Sequence, residues 1–244
     1  MDSIWKQNAV PNVWHFFVSF CFAFGFVVAR FLLDRFIFRR FAIWLLSSGN
    51  GLLKINEATR AKIVKFSESM WKPTYYAAVE FCVLSVNYHE SWFRDMKEYL
   101  RGWPNQDLKL PLILIYMCQC GFYIYSIAAL LTWETRRRDF SVMMSHHVVT
   151  VILIAYSYMA RFFRIGAVIL ALHDASDVFL EAAKVFKYSK NELGASVCFG
   201  LFAISWFTLR LVLFPFWVIR SSRRQLKNRG KVGEDIRSDS EDDD

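Results

Sequence analysis

Two adjacent histidines, His146 and His147, sit inside a stretch free of Asp, Glu, Lys and Arg that covers residues 140–160. Further on, His173, Asp174, Asp177 and Glu181 punctuate a second apolar stretch, 165–183. Imidazole serves as general base or as nucleophile near neutral pH, and a carboxylate bonded to one ring nitrogen fixes the tautomer and leaves the other nitrogen for chemistry. Consecutive residues on a helix are rotated by about 100°, so one histidine of the pair can face a cavity while the other packs or orients it. His173, Asp177 and Glu181 recur at i, i+4 and i+8, with Asp174 three before Asp177, so all four share one side of a helix or its flank. Ionisable groups in apolar helices are costly unless they line a cavity or pair with each other, which makes this constellation a candidate site. Its structural alternative is interhelical hydrogen bonding.

Other chemistries find no support. The chain has five histidines, His15, His89, His146, His147 and His173, too few for the HxxH and HxxHH boxes of a membrane di-iron enzyme, so no metal site is expected. GxSxG, Gly-rich phosphate-loop and HExxH patterns are absent from the sequence. The five cysteines, Cys21, Cys82, Cys118, Cys120 and Cys198, form no CxxC pair and read as small buried hydrophobes.

The elements that must carry the site are membrane helices. Of the 244 residues 55% are hydrophobic and only 21% charged, which excludes disorder, and the net charge of +8 is dispersed between apolar runs, which argues against a nucleic-acid partner. A bilayer core takes about 20 apolar residues per helix. Residues 7–29, 110–133, 140–160 and 193–219 supply such spans, the last interrupted by Arg210. Two more, 73–93 and 165–183, carry acids, among them Glu80, and should face other helices. The short link 161–164 makes the histidine and acidic spans antiparallel neighbours, so the acidic stripe is expected to meet the histidine pair. The expected architecture is an all-α polytopic transmembrane bundle of about six spans: an anchor over 1–40, a membrane domain over 66–219 and a basic then acidic tail over 220–244. That tail reads as disordered.

Basic residues orient the bundle. The first, third and fifth loops hold 15 Lys and Arg, and the opposite side, before the tail, holds seven. This places the N-terminus in the lumen. Six spans then leave the tail, with seven further basic residues, on the same luminal side. Charge and span count disagree, as they would if one helix did not cross or a final span were missing. Trp71, Trp92, Trp103, Trp133 and Trp217 read as interfacial belt residues.

At RRRDFSVMMSHHVVT (136–150), SYMARFFRIG (157–166) and LALHDASDVFLEAAK (170–184) the sequence resembles the longevity-assurance family of ceramide synthases, TLC-type proteins of the endoplasmic reticulum, and looks most like its plant members. The resemblance implies N-acylation of a sphingoid long-chain base, sphinganine or phytosphingosine, by a fatty acyl-CoA to give ceramide or dihydroceramide. It needs no cofactor beyond acyl-CoA as co-substrate. By motif position His146 and His147 correspond to the family's histidine pair, and Asp174 and Asp177 to its paired aspartates. Arg136, Arg137, Arg138, His173 and Glu181 are candidate substrate-binding residues, the arginines for the phosphates of the acyl carrier. The imidazole acts either as base toward the amine or as nucleophile through an acyl-imidazole.

The family normally has one more hydrophobic span after the region of residues 215–217, whereas here Ile219 leads directly into the basic tail. Ser238 and Ser240, each with an acid three residues on, are candidate phosphorylation sites. Bilayer lipid is an expected partner, as is a homodimer or a heterodimer with a paralogue. The alternative reading is a non-catalytic TLC-type lipid-binding or regulatory protein.

Overall fold

The computed structural model describes residues 10–47, 56–95, 98–134, 136, 139–220, 223 and 227. Every regular element among them is helical. α1 (His15–Leu33) passes through a π-helical segment, π1 (Asp34–Phe38), into α2 (Arg39–Ser47). There follow α3 (Glu57–Asn87), the single turn α4 (Ser91–Arg94), α5 (Leu110–Thr132), α6 (Phe140–Met159), α7 (Phe163–Tyr188) and α8 (Glu192–Trp206), which continues as π2 (Phe207–Ile219).

Each expected span has its helix. Among the described residues four helices are long and apolar enough to cross a bilayer, over His15–Leu45, Leu110–Thr132, Phe140–Met159 and Glu192–Leu213. The acid-bearing pair, α3 and α7, completes an all-α polytopic bundle. Boundaries shift where local chemistry extends a helix. α3 starts at Glu57, not at 73, because the Asn56 side chain caps it, accepting from the Thr59 amide at 2.8 Å. Pro73 inside α3 removes one backbone donor, and the Thr74 hydroxyl bonds back to the Met70 carbonyl at 2.7 Å beside it. Lys72, next to that proline, reaches Glu134 just past the end of α5 at 3.2 Å. The first half of α3 therefore projects beyond α5, and its apolar half begins where expected. The first helix begins at His15 and runs on to Ser47, beyond the expected anchor limit at 40. Arg137, Arg138, Ser238 and Ser240, and the expected disorder of the tail, lie outside the described residues.

α5 is the central helix: 72% of its apolar span is buried, against none for the span Glu192–Leu213. α1 lies along α5, α6 packs on α5, and α3 and α8 both pack on α7. A methyl group on Gly121 of α5 would meet the Ser19 carbonyl at 2.6 Å and the Phe22 Cβ at 2.7 Å, so the α1–α5 approach requires glycine. His15 at the start of α1 hydrogen-bonds Tyr158 at the end of α6, which sets those two ends on one face of the bundle.

Two predicted surface features are interior ones. Trp71 and Trp92 are buried, Trp71 edge-on to Phe26 and Tyr125 in a core shared by α1, α3 and α5. Trp103 stacks on Phe162, and Trp133 is exposed; the Trp217 side chain lies outside the described residues. Conversely Cys21 and Cys82, expected inside, are exposed, and Cys120 is the buried one of the five. In a bilayer the outer surface is itself apolar, so a thiol gains little by turning inward.

Candidate active site

Two antiparallel helices bring the sequence constellation together, and a third organises it. The reversal between α6 and α7 is tight: Arg161 takes a left-handed conformation at φ 61°, and its guanidinium donates to the Pro104 carbonyl at 3.1 Å. α7 then carries Asp174 into the interior, where it is 1% exposed. Its carboxylate accepts from the Gln119 amide at 2.8 Å and from the Tyr123 hydroxyl at 3.2 Å. Both donors come from α5, four residues apart and hence on one face.

Tyr123 also joins the histidines. Its ring lies 5.5 Å from that of His147 and 6.2 Å, edge-on, from that of His146, and the two imidazoles are 5.5 Å apart. His147 is buried at 3% exposure, and its Nδ1 has no hydrogen-bond partner among the described residues. His146 is exposed on the same helix. The rotation of about 100° between neighbours thus separates an accessible imidazole from an enclosed one. The acidic stripe does not meet the histidines directly. Asp174 is engaged by Gln119 and Tyr123, and the route from carboxylate to imidazole passes through the Tyr123 side chain.

Asp177 is held differently. Arg210 of π2 donates to it at 2.8 Å and to the His173 carbonyl at 2.9 Å. Ser176 donates to the same carbonyl at 3.0 Å. His173 turns its Nδ1–H onto the Ile169 carbonyl at 2.7 Å, which fixes its tautomer. Glu181 pairs with Lys184 on its own helix at 2.6 Å, away from the imidazoles. Glu80 of α3 buries one carboxylate oxygen without a partner among the described residues. Arg136, just before α6, lies 5.0 Å over the Phe140 ring, at the end of the bundle nearer the histidines.

Sequence reasoning did not single out Gln119, Tyr123 or Arg210 as site residues. The available signal was weak: a lone amide and a tyrosine four apart in the charge-free run of α5, and the one charge in the last apolar run.

An imidazole pair packed on a tyrosine that donates to a buried carboxylate, inside a polytopic helical membrane bundle, is a candidate for acid–base or nucleophilic chemistry in the lipid phase. The family model for the TLC domain shared by TRAM, LAG1 and CLN8 proteins matches residues 65–234. The chain is 57% identical to "Ceramide synthase LOH2" of Arabidopsis thaliana over the whole of both chains. It is 50% identical to "ASC1-like protein 3" of Oryza sativa subsp. japonica, over 95% of this chain and 98% of that one. It is 41% identical to "Ceramide synthase 1 LOH3" of Arabidopsis thaliana, over 98% and 95%. The chain belongs to the TLC-domain family and, within it, to the plant longevity-assurance ceramide synthases. The alignment with LOH2 runs over 295 positions against 244 residues here, so it contains at least 51 gap positions in this chain. That is length enough for a membrane span and its loops.

Proposed function

We propose that this chain is an acyl-CoA-dependent sphingoid-base N-acyltransferase of the endoplasmic-reticulum membrane, its N-terminus in the lumen, producing ceramide or dihydroceramide. The observation that carries the reading is Tyr123, whose ring packs on both imidazoles while its hydroxyl donates to buried Asp174. In the reaction the amine nitrogen bonds to the thioester carbonyl carbon and the carbon–sulfur bond breaks. Exposed His146 takes the amine proton, and the coenzyme leaves as its thiol once protonated. In the two-step route His146 first takes the acyl group itself, releasing the thiol, and the amine then displaces the imidazole. His147, Tyr123 and Asp174 are positioning residues in both. Arg136 at the edge of α6 suits the phosphates of the acyl carrier.

The gap of at least 51 positions favours a second reading, a non-catalytic TLC-type lipid-binding or regulatory protein. The bare outer face of α8 and π2 would then dock on a second copy or a full-length paralogue. N-acylation in microsomes lacking their own ceramide synthases, with long-chain base and a panel of acyl-CoAs, separates the two. The transferase reading expects product from the unmodified chain and a loss of at least ~100-fold in His146→Ala. Absence of product from well-inserted unmodified protein supports the regulatory reading.

A further inference from the structure

Away from the histidines, two cavities meet. The first is an apolar cleft of about 390 Å³ between α1, α3 and α5, walled by Phe22, Phe26, Tyr75, Val79, Leu114 and Cys118 among others. The second, of about 160 Å³, is a charged vestibule holding Asn87, Glu90, Asp107, Lys109 and Arg164. Val86 and Pro111 line both, so the vestibule and the cleft adjoin.

Their placement is that of a head and a tail. Glu90 follows the end of α3, Lys109 caps the start of α5 and Arg164 begins α7, so the vestibule sits at one end of the bundle. The histidines lie near the other end, about 20 Å away along α6. From Tyr75 to Val86 the α3 wall of the cleft runs roughly 16 Å, about one leaflet of a hydrocarbon core ~30 Å thick. α5 gives one face to the cleft, through Leu114 and Cys118, and another to the active site, through Gln119 and Tyr123. A cleft walled almost wholly by hydrocarbon side chains does not hold ordered water. Walled by membrane helices, it takes hydrocarbon.

The vestibule selects the head. Lys109 and Glu90 stand 2.6 Å apart, Arg164 lies over the Trp92 ring at 5.9 Å, and Asp107 completes two cations and two acids. That balance matches a headgroup carrying both signs and disfavours a net anion. We propose that this composite cavity binds one zwitterionic glycerophospholipid of the bilayer, phosphate toward Arg164 and Lys109, ammonium toward Glu90 and Asp107, with one acyl chain in the cleft. The inference needs only the membrane placement of the helices and stands apart from acyl transfer.

The test is native mass spectrometry of the full chain, delipidated in detergent and titrated with dioleoylphosphatidylcholine, dioleoylphosphatidylglycerol or sphinganine. One phosphatidylcholine should bind per chain, with half-occupancy at a concentration at least 5-fold below that of phosphatidylglycerol. Ala78→Trp and Leu114→Trp fill the cleft from exposed and half-buried positions and should each raise the half-occupancy concentration at least 10-fold. Lys109→Glu leaves the cleft untouched, exchanges the Glu90 ion pair for two like charges at the head, and should weaken phosphatidylcholine at least 5-fold even if a tryptophan variant misfolds. Equal binding of the two phospholipids, unchanged binding in correctly folded variants, or displacement of phosphatidylcholine by stoichiometric sphinganine overturns the proposal. The last outcome would make the cavity a site for long-chain base.

Discussion

Asp174 and Asp177 lie one turn apart on α7, yet they are secured by opposite means. Asp174 is sealed in the centre and satisfied by two neutral donors from α5, the most buried helix. Asp177, 20% exposed, is held mainly by a cation, Arg210, reaching in from π2 in the least buried helix, with a longer bond from Ser176 at 3.4 Å. Neutral donors in a closed core tolerate little rearrangement, because any lost partner stays orphaned. An ion pair at the rim instead ties the acid to the position of its helix. One aspartate reports on the scaffold and the other on whether the outer helix is in place.

Breaking the inner arrangement should cost most. Asp174→Ala orphans two buried donors, each worth about 1–3 kcal/mol, and should lower thermal stability in detergent more than Asp177→Ala does, with acyl transfer reduced at least ~100-fold. Next comes Arg210→Met, which strands the Asp177 carboxylate at a cost of about 3 kcal/mol. Adding Asp177→Asn to that variant should recover most of the loss, and a double-mutant cycle measures the coupling. If Arg210→Met proved neutral, the outer helix would not be secured through this pair. The smallest effect is reserved for Lys184→Gln: its pair with Glu181 is local to α7 and partly exposed, so unfolding should shift by less than ~0.5 kcal/mol.

Much of this architecture is legible in the sequence, because charge-free runs in a membrane protein have few other uses. The six helices and the inward turn of the acids follow from hydropathy and from the cost of burying charge. What the sequence hides is the partner. Gln119 and Tyr123 sit in a run whose composition reads as lipid-facing, and only the central place of α5, a property of the assembled bundle, turns them inward. Trp71 and Trp92 mislead for the same reason, since nearness to a span end does not distinguish a belt residue from a core one. The expected contact between the histidines and the acidic stripe also passes through α5, which sequence adjacency of α6 and α7 does not reveal.

The glycine contact between α1 and α5 has a consequence for biosynthesis. Ser19 and Phe22 can settle only against Gly121, which emerges from the ribosome roughly a hundred residues later. At about 5–20 residues per second, α1 waits on the order of 10 seconds in the bilayer without its partner. During that interval Ser19, whose hydroxyl finally donates to the Met117 sulfur, faces lipid or a helper protein. The nascent chain therefore passes through a stage in which its first helix is inserted and undocked, and is most open to capture by quality-control factors that recognise orphan membrane segments.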